Sequence, residues 1–279
     1  MSLVLPLQSL RRISGFGRSE FYDGYVFKPQ SPEEILGIFE VAREAERQVV
    51  LRAAGRSYGD PAVGRECVIC DFTGMSTIHD FNPEFGFVEV DPGVTLETIW
   101  RTTLPQGWWL PVVSGTTKIT VGGALAMNIH GKNNYVRGTL GEHVSQVDFL
   151  TTDGRLLKLG PDDPLFTSVF STAGLLGAIT RVKLQLKKVS SGNVHVKAIS
   201  CANLQEQFET FERFEGDAEY CVSWVDCCAR GRAKGRGLFH AGWHPEKPDA
   251  HSLQDQDLPE QIMGFFPKSK VWKILRWLN

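Results

Sequence analysis

The chain has 279 residues, 42% of them hydrophobic and 22% charged, with a formal net charge of −2. That is ordinary globular composition, long enough for one large domain or two modest ones. The near-neutral balance argues against a nucleic-acid-binding surface, and no apolar run reaches the roughly 18 residues a membrane span needs.

Residues 1–12 are too short for a secretory signal, and their charges follow the apolar run instead of preceding it. With six cysteines, reduced thiols and a cytoplasmic location are the expectation. Cys67-Val-Ile-Cys70 has CxxC spacing but lies in an apolar, strand-like run with no second pair, so no metal is expected.

In chain order, residues 14–28 are aromatic and Gly-rich, a loop leading into a strand. Ser31-Pro32-Glu33-Glu34 has the makings of a helix start: a hydroxyl N-cap, an early proline, and acids where the helix dipole favours them. Ile35, Ile38, Phe39 and Ala42 then recur at helical spacing. Residues 48–52 read as a short buried strand that runs into Ala53-Ala54-Gly55-Arg56-Ser57-Tyr58-Gly59-Asp60. Residues 67–71 read as a second strand and 87–91 as a half-buried one, turning at Pro92-Gly93 before a helix from Thr95.

Residues 111–135 carry almost no charge until they close on His130-Gly131-Lys132-Asn133-Asn134. Gly115, Gly122 and Gly123 remove Cβ where a backbone must turn or approach something closely, and Thr116, Thr117 and Thr120 add hydroxyls. Such a run suits bare main-chain N–H groups against a large anionic or planar ligand. A buried Gly-rich turn followed by a small-residue helix is the plainer alternative.

Further on, residues 144–152 and 155–159 flank Asp153-Gly154, a hairpin signal. Residues 164–170 read as a short helix, 171–177 as a second small-residue turn and 179–186 as a strand. Strands and helices alternate without a repeat, which predicts an α+β fold. The texture changes near residue 189. Strands are predicted at 194–200, 220–226 and 238–244, a helix at 204–214 and a solvated basic turn at 230–237. A loop is expected over 245–260. An amphipathic helix is expected over 268–277, with Val271, Trp272, Ile274, Leu275 and Trp277 on its apolar side, suited to a peripheral membrane contact or to packing on a further segment.

The 53–60 loop lacks the Lys-Ser/Thr ending of a Walker loop and is not a G-x-G-x-x-G opening a helix. A Gly-and-Ser turn leaving a strand can still cradle a diphosphate. Arg56 reads as a phosphate partner or a surface cation, and Tyr58 as a stacking, hydrogen-bonding or packing group. His130, with Lys132 and Tyr135 close behind, is a candidate site residue, whereas His143 reads as structural. No Ser/His/Asp order and no H-E-x-x-H is present, so hydrolase and metalloprotease readings have nothing to rest on.

Several motifs in register carry a resemblance: Ala54-Gly-Arg-Ser-Tyr-Gly-Asp; Ser114-Gly-Thr; Thr120-Val-Gly-Gly-Ala-Leu-Ala-Met-Asn-Ile-His-Gly-Lys-Asn; Gly141-Glu-His-Val; Thr151-Thr-Asp-Gly; and Ala173-Gly-Leu-Leu-Gly-Ala-Ile. Together they resemble the PCMH-type FAD-binding domain of the vanillyl-alcohol oxidase superfamily, and within it His130-Gly-Lys-Asn is most similar to the decaprenylphosphoryl-ribose oxidases. The sugar-lactone oxidases, such as the D-arabinono-1,4-lactone oxidases, resemble it more distantly.

The resemblance implies an N-terminal segment (1–18), a two-subdomain FAD-binding domain (19–188) and a partial substrate domain with an antiparallel sheet (189–279). It places Ala53, Ala54, Gly55, Arg56, Ser57, Tyr58, Pro61 and Ala62 around the FAD diphosphate. Ser114, Gly115, Thr116, Ile119, Val121, Gly122, Gly123 and Ala124 would line the rest of the cofactor, with Asn128, Ile129, His130, Ala173, Gly174 and Ile179. Gly115, His130, Gly131, Lys132 and Trp224 would border the substrate.

Many relatives attach FAD covalently through a histidine at the position of Arg56, so non-covalent FAD is expected. The implied reaction is hydride transfer from a secondary sugar alcohol to flavin N5, with Lys132, His130 and Tyr58 as candidates for the base. The implied substrate is a small-molecule or lipid-linked sugar of the kind that supplies cell-wall arabinan, with a short-chain reductase as partner and no nucleic acid or metal. Relatives place further substrate-site residues in a segment that would follow residue 279. A fragment, or an FAD-binding protein without turnover, is therefore the accompanying expectation.

Overall fold

The computed structural model describes residues 3–248 and the backbone of 261–262 and 266–267; the helix expected over 268–277 and most of the loop over 245–260 lie outside the described residues. The chain begins with strands β1 (Leu10–Ile13) and β2 (Tyr22–Phe27), helix α1 (Pro32–Glu44), and strands β3 (Val49–Arg52) and β4 (Val68–Asp71). There follow β5 (Ile78–Asn82), β6 (Phe87–Val90), α2 (Leu96–Thr103), β7 (Trp108–Trp109), α3 (Val121–Ala126) and the single turn α4 (Asn134–Arg137). Next come β8 (Val144–Thr151), β9 (Leu156–Leu159), β10 (Gly177–Gln185) and β11 (Lys187–Lys188). The last fully described elements are β12 (His195–Cys201), α5 (Leu204–Phe214), β13 (Tyr220–Val225) and β14 (Gly237–Trp243), followed by the two-residue strands β15 (Gln261–Ile262) and β16 (Phe266–Pro267).

Three sheets of three to five strands, with the two-stranded pairs β11-β7 and β15-β16, organise these elements into a mixed α and β fold. The first has the order β1-β2-β4-β3, with β4 parallel to both of its neighbours. Val68, Ile69 and Cys70 are fully buried because β4 is a central parallel strand covered on both faces. Helix α1 lays Ile35, Ile38 and Ala42 against this sheet. Its start is fixed as the sequence predicts: the Ser31 side chain accepts from the Glu34 N–H, and Pro32 is the first helical residue.

The second sheet is antiparallel, in the order β5-β6-β10-β8-β9. Along β10, Val182 and Leu184 are buried while Arg181, Lys183 and Gln185 reach the surface, the period of two that one covered face dictates. Leu96 and Ile99 of α2 and Val121, Ala124 and Leu125 of α3 complete that core. At the near end of β10, Ala178 pairs with Leu150 of β8, and both join the core under α1, so the two sheets abut there. The third sheet, β12-β14-β13, packs α5 through Phe211 and Phe214 on Phe239, and Tyr135 of α4 packs against the same cluster.

The expected hairpin is β8–β9, turning at Gly154 with φ +90°. Of the strands of four residues or more, two are not predicted from the sequence. β1 is an edge strand whose middle residues Arg11 and Arg12 are exposed, and β5 carries an exposed His79-Asp80 pair, so neither has the alternation that betrays a strand. The short helix expected over 164–170 is only a 3-10 turn at Thr167–Val169. Asp163 takes the Leu165 N–H on its side chain and the Phe166 N–H on its carbonyl, and the segment is too short to propagate a helix beyond that turn.

Candidate functional site

The end of β3 delivers the chain into the 53–62 loop, and the end of β6 delivers it into Asp91-Pro92-Gly93. These segments, with residues 114–119, α3, residues 126–129, the 172–174 turn and the start of β10, wall a cavity of about 450 Å³. That is the size of an ordinary small-molecule site. Its walls include Leu51, Phe72, Ile119, Ile129, Phe149 and Ile179, and among the described residues its charged lining side chains are Arg52 and Arg56.

Two loops give the cavity its polar character. Among the described residues, no backbone N–H from Ala53 to Gly59 donates to another group of the protein, and the same holds from Ser114 to Thr117. Ala53, Ala54, Gly55, Ser57, Ser114 and Thr117 are half-buried, while Arg56, Tyr58, Gly59, Gly115 and Thr116 are exposed; two such runs of free N–H groups on facing loops have the donors to meet an anion. The N-terminus of α3 is different. Val121 N–H donates to Val94 O, Gly122 N–H to Pro92 O, and Gly123 N–H to the Thr120 hydroxyl. Its first donors are therefore consumed within the fold, and the helix serves as a wall.

Close backbone packing shapes that wall. A Cβ on Gly122 would lie 2.6 Å from Pro92 Cβ, and one on Gly123 would lie 3.3 Å from Ala53 Cβ. The missing Cβ of Gly122 thus faces the turn after β6, while nothing lies within 4 Å of the corresponding position on Gly115.

Of the residues proposed from sequence to hold a cofactor, Ala53 to Tyr58, Pro61, Ala62, Ser114, Gly115, Thr116, Ile119, Gly122, Gly123, Ala124, Ile129, Ala173, Gly174 and Ile179 line this cavity. Three lie outside its lining. Val121 is fully buried in the core behind it. Asn128, in the left-handed region at φ +41°, turns its side chain away to accept the Gly141 N–H at 2.9 Å. His130 is exposed and pairs with Thr139 through an isolated β-bridge, with Nδ1 3.4 Å from Gly131 O.

Lys132 is also exposed. Its carbonyl accepts the Cys221 N–H at 2.9 Å, which ties this edge to β13. Buried Asn133 donates to Pro111 O at 2.9 Å, and the Tyr135 hydroxyl donates to Ala218 O. Tyr135, pushed well above the ordinary phenol range by burial and by the Cys221 thiol, remains a neutral donor. Beneath it, the Glu219 carboxylate meets Lys187 and, at 3.5 Å, Arg137. Burial alone would raise the Glu219 pKa, but the Lys187 ammonium outweighs it and holds the carboxyl below its usual range. Trp224, further along β13, is 72% exposed.

The sequence reading missed Phe16, Arg52, Phe72, Pro92, Thr120, Met127, Phe149 and Gly177, all of which line the cavity. Phe16 arrives from the N-terminal segment, which is bound to the loop by Phe16 N–H to Ser57 O at 2.9 Å. Gly17 lies so close to the Tyr58 carbonyl that a Cβ there would be 2.6 Å from its oxygen. Among the described residues no cluster of three His, Cys, Asp or Glu could hold a metal, and no helix is long and apolar enough to cross a membrane. Cys67 and Cys70 are free and buried.

The donor set suits FAD: unpaired amides and two arginines for a diphosphate, apolar walls for flat rings, and no acid among the lining side chains to repel the anion. Comparison with known proteins agrees. Residues 24–160 match the family model described as FAD binding domain. The chain is 32% identical to decaprenylphosphoryl-beta-D-ribose oxidase of Mycolicibacterium smegmatis over 83% of its own length and 52% of that protein. It is 27% identical to alditol oxidase of a Streptomyces species over 61% of its length and 40% of that protein. It is 22% identical to D-arabinono-1,4-lactone oxidase of Eremothecium gossypii over 71% of its length and 37% of that protein. The chain thus spans about half the length, or less, of these relatives. The cavity, its donors and these matches agree on one point: residues 24–160 are similar to an FAD binding domain.

Proposed function

We propose that this chain binds FAD non-covalently and serves oxidation of a secondary alcohol on a sugar or sugar-like substrate to the ketone. The observation that carries the proposal is that two amide runs, 53–59 and 114–117, with no protein partner among the described residues, meet across one mostly apolar cavity whose described lining holds no acid. When bound, FAD supplies the hydride-accepting chemistry. The chain's own residues hold and orient it.

The amides of 53–59 and 114–117 meet the diphosphate and the polar ring edges, while Ile119, Ile129, Phe149 and Ile179 exclude water from the ring faces. Arg56 cannot form the covalent flavin bond that a histidine at this position forms in many relatives, which supports reversible binding. Lys132, His130 and Tyr58 are the groups proposed to take the hydroxyl proton, and Gly131 and Trp224 to border the sugar. The relatives act, by their names, on a lipid-linked ribose, on alditols and on a sugar lactone, which supports a polyhydroxylated substrate. A two-subdomain arrangement of residues 19–188, with residues 189–248 covering the substrate side, belongs to the same proposal. So do a short-chain reductase partner and a peripheral membrane contact.

The test is direct. Purified protein is titrated with FAD, then mixed anaerobically with sugar alcohols and with sugar lactones. Bleaching of the flavin band by an alcohol supports the proposed activity, and bleaching by lactones alone favours an aldonolactone oxidase. Stable yellow protein with every donor indicates FAD binding without turnover. Acid precipitation should leave flavin in the supernatant; flavin in the pellet would contradict non-covalent attachment.

A further inference from the structure

Arg52 closes β3, and its side chain runs back under the loop that follows. Nη1 donates to Ala62 O and Nη2 to Ser14 O, each at 3.0 Å. Gly55 sits directly upon it: at φ +60°, the space a Cβ would take is filled by the Arg52 guanidinium. This places a cation beneath the run of N–H groups that donate to nothing among the described residues. Among the described residues no carboxylate lies within 4 Å of it, whereas Arg47, Arg137, Arg155, Arg181 and Arg236 each have one. Burial depresses the pKa of Arg52, opposed only by the more distant Asp71. A half-buried cation held by neutral carbonyls alone is costly until an anion meets it. Arg56, by contrast, is exposed and lies 5.8 Å from the Phe16 ring, so solvent screens it.

We propose that Arg52 is the charge partner of the cofactor's diphosphate and makes this cavity select a flavin dinucleotide over a flavin lacking that group. The inference rests on the FAD reading above. The amides supply dipoles and direction; Arg52 supplies the full charge. It also ties the 53–62 loop to the segment at Ser14, so a simple bracing role has to be separated from a charge role.

The experiment measures dissociation constants of FAD and riboflavin, and competition by ADP and adenosine, for wild type, Arg52→Gln and Arg52→Lys. Each variant is first shown by circular dichroism and thermal melting to be folded. Loss of a charge-assisted contact predicts that Arg52→Gln weakens FAD roughly 10–100-fold. Riboflavin binding should change little, and the preference for ADP over adenosine should collapse. Arg52→Lys, which keeps the charge and loses the fork, should retain most of that preference. If the glutamine variant does not fold, Arg52→Met, which fills similar space without the charge, takes its place with the same expected and overturning results. Equal weakening of all four ligands in either variant would make Arg52 a brace only and overturn the proposal, as would unchanged FAD affinity in Arg52→Gln. Wild type that takes up no FAD would overturn both this proposal and the reading beneath it; wild type that binds FAD with the preference intact in Arg52→Gln sinks this one alone.

Discussion

Gly122→Val tests how the α3 wall is built. A Cβ at 122 would sit 2.6 Å from Pro92 Cβ and 3.0 Å from Pro92 O. Carbon atoms settle about 3.5–4.0 Å apart, so α3 has to retreat by roughly 1 Å before any further branch is accommodated. That retreat stretches the bonds from Gly122 N–H to Pro92 O and from Val121 N–H to Val94 O, both 2.8 Å. Overpacking costs about 1–3 kcal/mol, and each weakened bond adds up to about 1 kcal/mol. A loss of roughly 2–5 kcal/mol lowers the melting temperature by about 5–15 °C for a domain of this size. The assay is thermal melting of the flavin-free protein, followed by FAD titration at a temperature where the variant is folded. Both stability and FAD affinity should fall, stability first and independently of flavin. An unchanged melting temperature with lost FAD affinity would instead put the missing Cβ on the cavity side and overturn its placement against Pro92.

Other parts of the fold make separate predictions. Cys227 and Cys228 are exposed and the other four cysteines are buried, so a thiol reagent should find two fast-reacting groups in native protein and six after denaturation; more than two fast thiols would contradict the burial. The His244 imidazole donates to or accepts from the Tyr220 hydroxyl at 3.0 Å, and burial, then the Lys187 and Arg137 charges, hold its pKa below the usual 6.5, against the pull of Glu219. The unfolded chain therefore binds more protons, and the stability this group confers is complete above about pH 7 and lost as pH falls from about 6.5 through the folded pKa. His244→Gln should flatten the fall in melting temperature over that window; an identical slope in the variant would rule the group out as a source. Ser31→Ala removes the α1 cap and should cost about 0.5–2 kcal/mol in urea unfolding, with no change in flavin content. A stability equal to wild type would show that the cap is satisfied by water.

Much of the cavity was legible because its loops are written in residues with few other uses. Gly55 and Ser57 leaving a strand, and Gly115 beside Thr116 in an uncharged run, have no core to fill, so a ligand is the economical explanation. The residues that escaped notice were already explained by something else. Arg52 and Leu51 complete a strand, Phe149 alternates inside β8, and Phe72 follows β4; nothing local says that one side of each faces a cavity. Phe16 is about forty residues from the loop it covers, and only tertiary contact joins them. The converse has the same origin. Val121 and Asn128 stand within a cofactor-like motif, yet Val121 is fully buried in the core and the Asn128 amide is spent on the Gly141 turn. The strands β1 and β5 were invisible because paired polar edges carry no hydrophobic period.

On this reading, facing runs of unpaired amides, backed by arginine and apolar walls, hold FAD. The most direct measurement is the visible absorption spectrum of the purified chain before and after incubation with FAD and removal of excess. Bound flavin approaching one per chain, released by acid into solution, is the predicted result. Protein that stays colourless after incubation, while folded by circular dichroism, would contradict it.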